Sequence, residues 1–332
     1  MKKIITGAFS ALFLLSTVTL SAQKEKEREK FEFVKEKTIS KTYPASGNKL
    51  SIENSFGGVK FIASDKNEIK VDIHIEASSN QENLAQKIFD AISVSDKQQG
   101  SEIEFKTKID SKGNDNCKNC KSNMRIDYEV HLPVSVTLDV TNSFGNIELP
   151  DYTGALSVTS KFGKLISGSL SNLKDIAVEF GSATIKNISN IDATFKFSKI
   201  EIANLGGKSK IKLEFCDDTK ISLDNNLTSL NLSESYSTVN IKPGNVSASY
   251  TISTSFGSVV DRTNAGIKRT DTPDKYGPDA DKTYEGKSGS GSARIDIKSS
   301  FGKIILGEPT ADDMKDKKDK TKAKSKNDKV VI

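Results

Sequence analysis

Between residues 138 and 306 apolar and polar residues alternate, and the alternation breaks at regular intervals. Leu138, Val140 and Phe144 share one parity, and Ile147 and Leu149 take the other. Ile191, Ala193, Phe195 and Phe197 give way to Ile200 and Ile202. Leu230, Leu232 and Tyr236 are followed by Val239 and Ile241, and Ile295, Ile297 and Phe301 by Ile304 and Leu306. Period-two alternation marks a strand with one buried face. The parity slips by one at a residue, usually glycine, that follows an aromatic, where a bulge or corner turns the chain. Each unit therefore reads as two short strands joined at a Phe-Gly corner, with a polar turn leading to the next.

The corner aromatic recurs nine times. Full copies are Ser55-Phe56-Gly57, Ser143-Phe144-Gly145, Lys161-Phe162-Gly163, Glu179-Phe180-Gly181, Ser255-Phe256-Gly257 and Ser300-Phe301-Gly302. Degenerate ones are Lys196-Phe197-Ser198, Glu214-Phe215-Cys216 and Ser235-Tyr236-Ser237. From Phe144 to Phe256 the spacings are 18, 18, 17, 18, 21 and 20 residues. A unit of this size cannot bury its apolar face alone, whereas a stack of units can. The expected fold is all-β: a single-domain parallel β-solenoid (β-helix) with about 18–20 residues per coil and equivalent strands about 4.8 Å apart. The nine aromatics are expected to stack as a structural ladder along one corner. Such a stripe reads either as a platform for a sugar or cofactor, or as core. Its parity with the buried face assigns it to the core. A left-handed hexapeptide acyltransferase helix would need an aliphatic residue every six, and here the strong mark comes once per coil. Calcium-binding nonapeptides of the GGxGxD type are absent.

The solenoid is placed at 38–307, with insertions at about 78–123 and 260–292. In the first insertion Leu84, Ile88, Ala91 and Ile92 form a helical pattern, with Ser79 or Asn80 as cap. Ile103, Phe105 and Ile109 then return to strand, and 110–123 reads as a polar loop. The second insertion holds Pro273, Pro278 and Gly289-Ser290-Gly291 and is expected to be a long exposed loop. Residues 23–37 alternate Lys or Arg with Glu as a charged linker, and 308–332 form a Lys/Asp-rich tail read as disordered. Residues 1–22 carry Lys2 and Lys3, an apolar stretch from Ile4 to Leu20, and Ser21-Ala22 before Gln23. That is the pattern of a secretory signal peptide. The expected location is outside the cytoplasm, in the periplasm or on the outer cell surface, with no transmembrane segment after cleavage.

The net charge of +5 would suggest a polyanion partner, but its placement removes the suggestion. The signal segment contributes +2 and the tail 309–332 contributes +3. The rest holds 39 basic and 39 acidic residues. No basic face for nucleic acid is expected, and neither GxxxxGK[ST] nor GxGxxG occurs.

Candidate chemistry is sparse. Cys117-Lys118-Asn119-Cys120 lies in loop sequence, without the strand-to-helix context of a thioredoxin-like site and without the second cysteine pair of a zinc site. In an oxidising compartment a local disulfide is the expectation, with a metal or redox role as the alternatives. Cys216 reads as a small buried residue. His74 and His131 sit between apolar neighbours and so point away from the buried face, and no Ser or Cys partner signature accompanies them. Asp271, Asp274, Asp279, Asp281 and Glu285 cluster in the second insertion; a solvated loop is favoured there over a calcium site, since the EF-hand glycine is missing. No catalytic residue, cofactor site or metal site is assigned.

The phrases LSIENSFGGVKF, RIDYEVHLP, LDVTNSFGNIELP and GSGSARIDIKSSFGKIIL resemble the bacterial putative-adhesin family of exported β-solenoid domains, a domain of unknown function, over about residues 38–307. The resemblance rests on repeat grammar. It implies a parallel solenoid and offers no catalytic residues to transfer. The CxxC loop, the second insertion and the Lys-rich tail depart from it. The expected role is a non-enzymatic adhesin or envelope protein, contacting an unknown envelope protein or polysaccharide through its strand faces and insertions. The alternatives are a carbohydrate-active β-helix enzyme and an envelope-stress-linked protein with a CxxC disulfide or metal loop.

Overall fold

The computed structural model describes residues 31–110, 119–273, 277–310 and 313. The segment read as a signal peptide lies outside the described residues, as do Cys117, Asp274 and most of the tail. The described residues are all-β with one helix, Glu82–Ala91, and their strands form one large sheet that does not close. Among the described residues no helix is long and apolar enough to cross a membrane.

Two ladders of strands run through this sheet, because each unit contributes one strand to each. In the first ladder, Lys49–Ser55, Thr137–Ser143, Leu156–Lys161, Leu173–Glu179 and Asp192–Lys196 pair in parallel and in register. In the second, Val59–Ala63, Ile147–Leu149, Lys164–Leu170 and Ser182–Ser189 do the same. The strands Lys199–Glu214 and Thr219–Ser235 are long enough to serve both ladders. Inward residues of both ladders, such as Val140, Ile147, Val158 and Leu165, join one continuous apolar core.

Four expectations need correction. First, the sheet is mixed. Antiparallel partners cover both ends of the first ladder and the N-terminal end of the second: Phe33–Pro44 and Ser122–Leu132 flank Glu68–Ser79, Ile92–Gln99 lies on Glu102–Ile109, and Asp281–Lys287 lies on Ala248–Ser255. A purely parallel stack would leave open backbone at its ends, and these added strands cover part of it. Strand Phe33–Pro44 therefore begins inside the segment read as linker. Second, the helix starts later than its expected cap. Gln81 is the N-cap, and the Ser79 hydroxyl accepts the Gln81 N–H at 3.1 Å. Ile92, read as helical, opens a strand. Third, the second insertion is not simply a loop, because Lys268–Arg269 and Asp281–Lys287 form an antiparallel pair within it. Fourth, the tail begins tied down. The half-exposed Arg262 and Lys303 face the buried Asp313, which also accepts hydrogen bonds from the Thr310 N–H and hydroxyl at 2.9 and 2.8 Å.

Chain order and spatial order also diverge at the C-terminal end. Ala293–Ser300 lies between Thr219–Ser235 and Ala248–Ser255, and Lys303–Leu306 lies between Thr238–Lys242 and Ser258–Asp261. The last unit in sequence is thus the last but one in space.

One carboxyl is sealed in this core. Glu234 is 2% exposed; it accepts the Ser237 N–H at 3.1 Å and the Ser299 hydroxyl. Gly302 makes room for it, since a Cβ there would sit 1.9 Å from Oε1. Burial pushes its pKa up to about 7, outweighing the two hydrogen bonds. The folded chain then holds a proton that the unfolded chain releases near the ordinary glutamate value. Stability from this group is complete below about pH 4.5 and is lost as pH rises through about 7. Glu234→Gln is expected to remove this slope. Urea unfolding at pH 5 and pH 8 is expected to show the wild type losing about 2.5 kcal/mol more than the variant. Equal losses would refute the assignment.

Candidate functional site: an exposed aromatic ridge and the cleft at its end

The nine corner aromatics stack in the order Phe56, Phe144, Phe162, Phe180, Phe197, Phe215, Tyr236, Phe301, Phe256. Neighbouring centroids are 4.7–5.1 Å apart and the rings are nearly parallel. The expectation that they belong to the core is wrong. Each ring is 39–54% exposed. The cause is local: all nine residues have φ between 49° and 62°. In this left-handed conformation the side chain swings to the opposite side from the one that strand parity assigns. The parity slip therefore occurs at the aromatic, one residue before the glycine.

The left-handed conformation costs an ordinary residue about 1–2 kcal/mol. Stacking covers roughly half of each ring, on the order of 100 Å², which is worth about 2.5 kcal/mol. The ring therefore offsets its own backbone strain. The corner also keeps its hydrogen bonds: Phe144, Phe162, Phe180 and Phe197 donate their N–H to the next unit at 2.9–3.0 Å. The glycine is needed for a different reason, which is space. A Cβ on Gly163 would lie 1.9 Å from the Gly145 carbonyl oxygen, and one on Gly181 would lie 2.0 Å from that of Gly163. Where serine or cysteine replaces glycine, its side chain bonds to nearby backbone. The Ser198 hydroxyl donates to Lys196 O at 2.7 Å, and the Cys216 thiol to Phe195 O at 3.3 Å.

Just inside the ridge, at its Phe56 end, Asn54 and Asn142 satisfy the corner. Asn142 Nδ2 donates to Gly57 O at 2.9 Å, and Asn54 Nδ2 donates to Ile126 O at 3.0 Å. The ridge flanks carry charge that is largely paired between units, as in Lys161–Glu179 at 3.6 Å and Lys196–Glu214 at 3.3 Å. By register, Arg125 occupies the place of the next ring beyond Phe56.

A cleft of about 820 Å³ opens at this end, lined by Phe56, Phe144, Asp72, His74, Arg125 and Asp127 among others. Two of its carboxylates are already engaged. Asp72 takes hydrogen bonds from Lys70 at 2.7 Å and Ser40 at 2.6 Å, which hold it below the usual carboxylate range. Asp127 pairs with Arg125 and accepts the Gly58 N–H at 2.8 Å. A glycosidase needs a general acid of raised pKa in reach of substrate. The carboxyls that burial raises are elsewhere: Glu234 is sealed in the core, and Asp139 sits on an outer strand face near Asp175 and Glu102.

The remaining sequence candidates are not brought together. His74 and His131 are both half-exposed, and His131 Nε2 lies 3.0 Å from Glu129. In the second insertion Arg269 supplies the positive charge between Asp271, at 2.6 Å, and Asp279, at 2.5 Å. Among the described residues no group of three or more His, Cys, Asp or Glu is placed to hold a metal. Cys216 is free and buried, and burial pushes its thiol up. Cys120 is disulfide-bonded. Sequence reasoning missed the ridge's exposure, although the aromatic-before-glycine phrase marked its position.

Two outcomes are expected. In urea, Gly163→Ala is expected to cost about 4 kcal/mol or more, because backbone must move. Phe162→Asn is expected to cost only about 2 kcal/mol, because Asn tolerates the left-handed region. The reverse ranking would refute this account of the corner. If Cys117 and Cys120 pair, thiol titration of the folded chain reads near zero, the unfolded chain one and the reduced unfolded chain three. A count of three without reductant would exclude the disulfide.

No protein-family model and no curated protein matches the chain. Among solved structures, a putative cell adhesion protein from Clostridium sporogenes is 13% identical, over 83% of this chain and 100% of its own, with a TM-score of 0.20. A putative adhesin from Bacteroides fragilis is 11% identical over 81% of this chain and 97% of its own, with a TM-score of 0.32. One from Parabacteroides distasonis is 8% identical over the same shares, with a TM-score of 0.34. At these scores the likeness fixes neither the fold nor the role of this chain.

Proposed function

We propose that the chain is an exported, non-enzymatic β-solenoid that binds a partner at the cell envelope through its aromatic ridge, an adhesin-like role. The observation that carries the reading is the unbroken row of nine half-exposed rings. Soluble monomers rarely expose contiguous apolar area beyond a few hundred Å², and larger patches mark interaction sites. The two in-register parallel ladders support the solenoid, and the pattern of residues 1–22 supports export. That the carboxyls raised by burial, Glu234 and Asp139, lie outside the cleft supports binding over catalysis. The contact surface proposed is thus the corner ridge, in place of the flat strand faces and insertions favoured from sequence.

Retention of the purified protein on cell-envelope fragments tests this. Phe162→Asn/Phe180→Asn is expected to lower retention about tenfold or more, since each ring is a potential anchor. Retention unchanged in a folded variant would overturn the ridge as the contact surface.

A further inference from the structure

The surface that matches the ridge is the ridge of another copy. We infer that two copies associate ridge to ridge, antiparallel about a two-fold axis that passes between Phe180 and Phe197. This rests on the reading of the ridge as the contact surface and names its partner as a second copy of the chain.

Area is the first argument. Nine rings, each 39–54% exposed, leave on the order of 900 Å² of aromatic surface in one strip. A standard stable interface covers about 800 Å² on each partner. The rings repeat every 4.7–5.1 Å, so an identical strip carries the same period and meets it along its length.

Charge selects the direction and the register. In spatial order, the residues immediately before the rings are Ser55, Ser143, Lys161, Glu179, Lys196, Glu214, Ser235, Ser300 and Ser255. A two-fold between Phe180 and Phe197 sets this row against itself in reverse. Glu179 then faces Lys196, Lys161 faces Glu214, and serines face serines. The residues two after the rings form the other flank. The same operation sets Lys164 against Asp217 and Ser182 against Lys199, with no like charges opposed. A parallel two-fold would instead bring the row before the rings against the row after them within each unit. It would oppose Lys161 to Lys164, Lys196 to Lys199 and Glu214 to Asp217, three like-charge pairs. An antiparallel two-fold is also the self-complementary arrangement expected of a homodimer. Charges of this kind set register and partner choice more than affinity, and the rings supply the affinity.

The antiparallel register leaves one ring over. Eight rings find partners, and Phe256 falls opposite the unit beyond the partner's Phe56. That unit carries Arg125, at the mouth of the cleft.

Sedimentation equilibrium of the full chain tests the proposal. The wild type is expected to dimerise at micromolar concentration, and Phe180→Asn/Phe197→Asn to be monomeric with its β circular dichroism intact. Lys196→Glu and Glu179→Lys are each expected to weaken the dimer about tenfold or more, because each alone opposes like charges. A one-to-one mixture of the K196E and E179K copies is expected to restore it, since the heterodimer opposes only unlike charges. Wild type that stays monomeric at about 100 μM, a dimer that survives loss of both rings, or a mixture that fails to rescue would each overturn the proposal. Envelope fragments from cells lacking the protein separate the two readings. If they retain the wild type through its rings while the protein is monomeric, self-association fails and envelope binding stands. If the charge-matched dimer forms but no fragments retain it through the ridge, the reverse holds.

Discussion

The close approach of one corner to the next governs this structure. Stacked units lie at the strand-pairing distance, so at the glycine corners toward the Phe56 end the backbone of one unit rests on the carbonyl of its neighbour. Gly145 on Gly57, Gly163 on Gly145 and Gly181 on Gly163 leave no space for a Cβ. The chain must also reverse direction there without losing inter-unit hydrogen bonds, and a left-handed residue just before the glycine does so. Once the corner is fixed, the parity of both strands follows, and with it which residues face the core.

An aromatic at the left-handed position is counter-intuitive, because glycine would be conformationally easier there. The stack explains it. A single exposed phenylalanine with positive φ would be strained with nothing in return, whereas a row of them is mutually covered. The corner is therefore cooperative: each ring depends on its neighbours for the contact that offsets its backbone. The same flip that sends the rings outward leaves the inner side of the corner to small or polar residues. Asn54, Asn142, Ser198, Cys216 and Ser237 bond backbone or one another there. The polar chemistry of the ridge's base is thus largely consumed by the fold, with the Ser160 and Thr254 hydroxyls left unpartnered in the same row.

Much of this was legible in the sequence. Period-two alternation located the inward residues: Leu138, Val140, Ile147 and Leu149 are all buried. The repeat located all nine rings and implied that they would stack. Parity could not say which side they would occupy, because parity reasoning assumes extended backbone and the decisive residue is not extended. Phe144 shares the parity of Val140 and still points out. The insertions were harder for a related reason. Asp281–Lys287 is mostly charged and polar, so nothing in its pattern distinguishes a strand from a loop; its pairing with Ala248–Ser255 is a tertiary fact. The cleft comes together only through the register that sets Arg125 next to Phe56.

Spatial order at the C-terminal end was invisible for the same reason, and it changes how the stack is held. In a quasi-one-dimensional array the terminal unit has one neighbour and frays first. Here the unit that ends the stack, 248–261, is not the one that ends the chain. It is tethered on both sides, by the turn after Lys242 and by the strand Asp281–Lys287 that returns along it. The unit nearest the chain end, 293–306, is bonded on both faces. Asp313 then pairs with Arg262 of the outer unit and Lys303 of the inner one, fastening the two across the insertion. Fraying at this end must therefore release strands that have no free terminus. A ridge that works as one continuous surface needs its last rings held in line, and this exchange of order holds Phe301 and Phe256 there.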